Sequence, residues 1–253
     1  KLKPVKDYIS EKEYNKAIIY IDHLLITEHD NIDYWTIKCS CYEKLNQYDD
    51  VDNCYDKLIE LDSNNIGYWK SKASNLTEMK RFDEATECLK KASAIFPNNS
   101  SLKTLIRETL KLKGKHELKL KQEKILNSYS KDDLITIVEL DDSDVDFKEK
   151  MEFKLIKESD NIYGMNVIAV YLDANKIGYV ANGDNATCEF TTDANDIEYL
   201  PEITYAKYIM NYCDNYHVAK IIKDRYINLR LANRHKRKGE YSKALDCYNE
   251  VLE

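Results

Sequence analysis

The sequence predicts an α+β fold: an array of helical hairpins interrupted by a small β-barrel-like domain, with a further helical hairpin at the C-terminus. Residue character repeats every 34 positions between 34 and 99, switches to strand-like alternation between 133 and 222, and returns to the helical pattern around Gly239. The expected division is therefore 1–130, 133–222 and 223–253, with the middle segment inserted into a helical array.

The period comes first because a missed repeat misassigns a whole fold. Tyr34-Trp35 and Tyr68-Trp69 stand 34 residues apart. With both tryptophans at position 4 of the unit, position 8 holds the small residues Cys39 and Ala73, where two helices must approach closely. Position 11 holds Tyr42 and Leu76, position 20 Val51 and Ala85, and position 24 Tyr55 and Leu89. Ser63 and Pro97 at position 32 are each followed by Asn-Asn, a break between helices. One period earlier, Tyr14, Ala17, Ile21 and Leu24 fall on second-helix positions, so 11–27 reads as the second helix of a repeat whose first helix is mostly missing. One period later, 101–129 reads as a divergent helical pair that turns near Gly114 and closes the array with a polar outer face. The run Gly239-Glu240-Tyr241-Ser242-Lys243-Ala244 restores the same turn and second helix. Period and residue types together resemble the tetratricopeptide repeat over roughly half the chain.

That resemblance implies a concave, peptide-binding face lined by first helices at positions 2, 5, 9, 12 and 13. The candidates are Thr36, Ser40 and Lys44 in one repeat and Lys70, Ser74 and Thr77 in the next, with Asp33, Glu43, Gly67 and Glu78 beside them. Members that bind chaperone tails clamp a C-terminal carboxylate with Lys at position 5 and Asn at position 9. Only Lys70 fits here, and a carboxylate needs several convergent donors to offset its desolvation. The implied partner is a protein or peptide whose identity the sequence leaves open.

In the insert, 134–140 is rich in Ile, Val and Thr, 151–158 alternates with period two, and 167–172 is nearly continuously apolar. Asp173-Ala174-Asn175 is a short turn before 176–181, so these two runs predict a hairpin. Residues 186–192 are expected as a further strand, 201–211 begin like a helix, and 216–222 would close the sheet. Residues 158–171, followed by Lys176-Ile177-Gly178-Tyr179-Val180, resemble a HIRAN domain. Helicase-type members of that family hold the 3′ end of single-stranded DNA by aromatic stacking and a carboxylate. The resemblance puts Tyr163 at the stacking position, but Gly164 stands where the carboxylate would be, Tyr179 where His would be, and Asn182 at a basic position. The expected ligand groove has Tyr163 and Tyr179 as its floor, with Asn182 nearby, and suits a basic or aromatic peptide.

Charge points the same way. The formal net charge is -7, and residues 133–222 hold 18 Asp plus Glu against 7 Lys plus Arg. Phosphate contacts draw on cations, so nucleic acid is disfavoured as a partner. The basic run Arg234-His235-Lys236-Arg237-Lys238 is expected as a solvated face, with pairing to the acidic insert before it, or contact with nucleic acid, as the alternatives. Together with short connections, this segment predicts that the insert docks rather than hangs free.

Seven cysteines without a CxxC pair predict free thiols in a reducing compartment, and no apolar run is long enough to span a bilayer, so a cytoplasmic protein without membrane partners is expected. Five scattered histidines offer no metal or triad spacing, and Asp141, Asp142, Asp144 and Asp146 lack the glycine of a calcium loop. No nucleophile elbow, phosphate loop or zinc motif occurs. The expected function is a non-enzymatic interaction or scaffold module without cofactors, with a nucleic-acid-binding accessory role as the alternative. Starting at Lys1 and ending within a helical pattern, the sequence is expected to be a piece of a longer chain.

Overall fold

The computed structural model describes residues 2–140, 145–158, 167–182, 187–197, 199–223 and 225–252. The chain divides into two compact units, Lys1–Glu117 and Leu118–Glu253.

The first unit consists of α1 (Lys3–Ser10), α2 (Tyr14–Thr27), α3 (Ile32–Lys44), α4 (Tyr48–Leu61), α5 (Ile66–Glu78), α6 (Phe82–Ile95) and the start of α7 (Ser100–Leu126). An asparagine is the local cause of the starts of α3, α5 and α7. Asn31 accepts from the Tyr34 amide, Asn65 from the Gly67 amide and Asn99 from the Ser101 amide, satisfying donors that a helix start leaves open. The turns between paired helices pass through left-handed residues, Lys12 (φ 60), Asn46 (φ 55) and Lys80 (φ 60), again one period apart. Cys39 and Ala73 are 2% and 3% exposed, so the small position 8 does sit where helices close on each other. Trp69, Leu76, Ala85, Leu89, Ala92 and Leu102 form one core cluster, while Val5, Ala17, Ile21, Tyr34 and Cys41 form another.

Two expectations need correction. The first helix of the earliest repeat is not mostly missing: α1 supplies eight residues, with Pro4 in its first turn, where a lost N–H costs nothing. Residues 101–129 do not form a helical pair. Most of the segment is the single 27-residue helix α7, which runs through Gly114. A lone glycine costs about 1 kcal/mol in a helix, and without a proline or second breaker the flanking Lys, Leu and Glu keep the helix going.

In the second unit, β1 (Leu134–Glu139), β2 (Glu152–Glu158), β3 (Val167–Leu172), β4 (Asn175–Val180), β5 (Ile203–Tyr212) and β6 (Tyr216–Ile222) close an antiparallel barrel in the order β1-β4-β3-β2-β5-β6. The β3–β4 hairpin turns at Asp173 (φ 55), as its short Asp-Ala turn requires. The helix expected at 201–211 is strand β5. Thr204, Ala206 and Tyr208 point inward while Ile203, Tyr205 and Lys207 are exposed, a period of two. The strand expected at 186–192 is absent from its described part, 187–192. Thr192 makes a single parallel bridge to Ile135, and the Thr136 and Thr191 hydroxyls bond each other in the interior, so side-chain bonds replace a ladder.

Ile135, Phe153, Leu155, Val170, Ala206 and Ile221 fill the barrel. Helices α8 (Arg225–Arg237) and α9 (Tyr241–Leu252) form the resumed hairpin, turning at Gly239 (φ 78), and Ile227 and Leu231 of α8 join the same core. On the outer side, Leu126 at the end of α7 packs with Leu134, Cys188, Tyr212 and Val218. The resumed hairpin and the barrel thus belong to one unit.

Candidate functional site

Spacing along α3 and α5 puts Thr36, Ser40 and Lys44 on one flank of the first helix and Lys70, Ser74 and Thr77 on one flank of the next. Thr36, Ser40, Lys44 and Ser74 are exposed, and Lys70 and Thr77 are half-buried. The Thr36 hydroxyl donates to the Ile32 carbonyl and that of Thr77 to the Ala73 carbonyl, both at 2.8 Å, so both hydroxyl protons are used within the helix. Glu43, on the same side, accepts from the Tyr55 hydroxyl at 2.8 Å. Among the described residues neither Lys44 nor Lys70 has an ion-pair partner. The face is polar and open, with two uncommitted ammonium groups.

A cavity of about 520 Å³ lies on the opposite flank of α5, floored by Trp69, Lys72 and Leu76 and walled by α4 and α6. Its charges are mostly committed. Lys72 pairs with Asp56 and stands 3.3 Å from Asp52, and Arg81 holds Asp52 at 3.2 Å and Glu84 at 2.6 Å. The Oδ1 of Asp52 makes no hydrogen bond, so its contact with Lys72 is an ion pair without donor geometry. One period earlier Lys38 pairs with Asp22 at 2.7 Å and lies over the Trp35 ring. These repeated pairs, Asp22 with Lys38 and Asp56 with Lys72, tie each second helix to the next first helix. Sequence reading missed them, although both partners recur at the 34-residue period already in use.

In the barrel, Tyr163 and Gly164 lie outside the described residues, as do Asp141, Asp142 and Asp144. Tyr179 is half-buried, and the Lys176 ammonium sits 4.4 Å from its ring centre. Glu158 holds that ammonium at 2.6 Å. Burial pulls the Lys176 pKa down, but hydrogen bonds to Glu158 and Tyr179 outweigh it and leave it above the ordinary lysine value. The chain's own cation therefore occupies this face of Tyr179. Asn182 is exposed and accepts a hydrogen bond from the Asn195 amide. Asp146 pairs with Lys148 at 3.1 Å.

The basic run does meet the acidic insert. Arg234 donates to Asp196 at 2.9 Å, and Lys238 lies 4.0 Å from the same carboxylate. His235 is 3% exposed, between Glu240 at 2.5 Å and Asp132 at 3.6 Å. All seven cysteines are free, five of them buried. Among the described residues no helix is long and apolar enough to cross a membrane.

Stacked antiparallel hairpins with a common period, common caps and repeated charge pairs define a helical-repeat protein fused to a closed six-stranded barrel. The tetratricopeptide repeat family model matches residues 32–65 and 67–99, so α3–α4 and α5–α6 are two tetratricopeptide repeats. None of the curated proteins compared with the chain matches it. Among solved structures, the first repeat domain of Spaghetti (RPAP3) bound to an HSP90 peptide is 15% identical, covering 43% of this chain and 86% of its own, with a TM-score of 0.36. MamA AMB-1 is 23% identical over 50% of this chain and 69% of its own, with a TM-score of 0.39. The TPR2B domain of yeast Sti1 in an Hsp70 complex is 18% identical over 42% of this chain and 90% of its own, with a TM-score of 0.35.

Proposed function

We propose that the chain is a non-enzymatic protein-interaction module whose tetratricopeptide repeats hold a protein or peptide partner on the face built by Thr36, Ser40, Lys44, Lys70, Ser74 and Thr77. One observation carries the reading: within two matched repeats this flank of α3 and α5 is polar and open, and its lysines have no partner among the described residues. Charged groups left uncommitted on a rigid helical scaffold favour specificity and fast encounter. In this reading the barrel is a HIRAN-like domain whose end-reading positions have changed, serving as scaffold in a cytoplasmic protein. The 18 acidic against 7 basic residues of 133–222 argue against a nucleic-acid role.

The test is selection of peptides from a random library on the full chain, followed by titration against variants of this face. Ser40→Arg with Ser74→Arg should weaken the selected peptides by about tenfold or more, since bulk and charge enter the contact surface while the core is untouched. Selected peptides that bind the variant as tightly as the parent would refute the reading.

A further inference from the structure

On the outer wall over β2, β5 and β6, apolar side chains interrupt the polar solvent side usual for an antiparallel sheet. Strand register sets its side chains in rows: Glu152, Lys207 and Lys220 in one, Lys154, Tyr205 and Ile222 in the next, then Ile156 beside Ile203. Ile203, Tyr205 and Ile222 are 47%, 51% and 43% exposed and adjoin one another. Contiguous apolar surface of this kind marks an interaction site. Lys207 and Lys220 stand directly opposite each other, an arrangement of like charges that destabilises a sheet. Among the described residues neither they nor Lys154 has an ion-pair partner, and the Lys220 ammonium rests 5.0 Å from the centre of the Tyr129 ring. Beside them opens a groove of about 590 Å³ that Lys207, Lys220, Ile222 and Asn228 help to line. Asn228 is 8% exposed, and its Oδ1 has no hydrogen-bond partner. A buried acceptor left open in this way is costly to the fold.

We infer that this β2–β5–β6 face is a docking surface for an acidic, aliphatic segment of a partner protein. Carboxylates answer the lysine rows, and aliphatic side chains cover Ile203, Tyr205 and Ile222. Asp133 and Lys223 in the groove are already paired with each other, which leaves Glu152 and Glu250 as the local acids beside Lys207 and Lys220. A nucleic acid fits less well. Isoleucines offer no stacking plane, and Tyr205 is the single ring in the rows. The surface shares no residue with the α3 and α5 face, so the two can succeed or fail independently.

The experiment uses the full chain and four probes: a synthetic peptide alternating Glu with Leu, its Lys-for-Glu counterpart, a Glu-Ser peptide, and a single-stranded oligonucleotide. Binding is read by amide chemical shifts and fluorescence anisotropy. The Glu-Leu peptide is expected to shift resonances of β5, β6 and the start of α8, and to bind better than the other three. Its affinity should fall about tenfold or more in Lys207→Glu with Lys220→Glu, and separately in Tyr205→Ser with Ile222→Ser. These side chains point outward, so the variants should keep the parent circular dichroism spectrum. Equal binding by the Lys peptide, preferential binding of the oligonucleotide, shifts mapping elsewhere, unchanged affinity in both variants, or no binding at all would each overturn the proposal.

Discussion

At Gly178 the β4 backbone runs so close to β1 that a Cβ would collide with the Val138 carbonyl oxygen. The obstacle is backbone in a paired strand, so no rotamer change relieves it. Gly178→Ala is expected to destabilise the barrel by about 1–3 kcal/mol, seen as a lower urea midpoint. Burial sets the chemistry of other single groups. It pushes the Cys88 thiol up to about 11 and the Tyr208 hydroxyl up to about 12. Both groups stay protonated in the fold at pH values where their unfolded counterparts ionise. Their contribution to stability is therefore complete below about pH 8, where the unfolded thiol is still protonated, and is lost as pH rises from there through the native values. A urea midpoint that is flat from about pH 7 to 8 and falls above it is the expected result. Thiol labelling of the native chain at neutral pH should reach Cys213 and Cys247 first, since the other five are buried, with all seven reacting in denaturant.

Within the hairpin elements, the left-handed turn residue decides the geometry. The array uses Lys12, Asn46 and Lys80 where the C-terminal hairpin uses Gly239. A side chain at positive φ costs about 1–2 kcal/mol, and glycine removes that cost while adding unfolded-state entropy. Lys80→Gly should therefore stabilise the first unit by a few tenths to about 1 kcal/mol, raising its thermal midpoint. The charge pairs between helices behave differently. Lys72→Met leaves Asp52, 8% exposed, with Arg81 as its remaining cation and should cost about 1–3 kcal/mol. Adding Asp52→Leu should recover part of that loss, because the uncompensated buried charge is then removed. A double mutant less stable than Lys72→Met alone would show that the Arg81 pairing dominates.

For the whole molecule, α7 is the one helix that runs across the boundary between the two units. Leu110, Leu112, Leu118 and Leu120 in its middle are about half exposed, so little packing protects that stretch, which also carries Lys111, Lys115, Lys119 and Lys121. Brief trypsin treatment should cut there first and leave two resistant fragments close to the unit boundary, as mass spectrometry would show. Early cuts within β1–β6 or α2–α6 would contradict this division.

The sequence by itself determined the hairpin repeats, the β3–β4 hairpin and the β2 and β6 strands. Trp35 and Trp69, Cys39 and Ala73, and the Asn-Asn breaks act over one period, and the core clusters they join are built from the same and adjacent repeats. The free thiols followed from composition, whereas the pairing of Arg234 with Asp196 was open to the sequence only as an alternative to a solvated basic face. Tertiary structure alone decided that 203–212 is a strand, because Ala206 and Tyr208 face inward against partners on β2 and β6 rather than on a helix. The passage of α7 through Gly114 was instead a local matter: nothing packs against that glycine, and the flanking helix formers outweigh its cost. The Tyr205, Lys207, Lys220 and Ile222 face was likewise invisible, because its members meet only through the register of strands separated in sequence. Non-local pairing is selected by closure of the barrel core, which no window of residues contains, and that closure brings the opposed lysines, Tyr205 and Ile222 onto one surface.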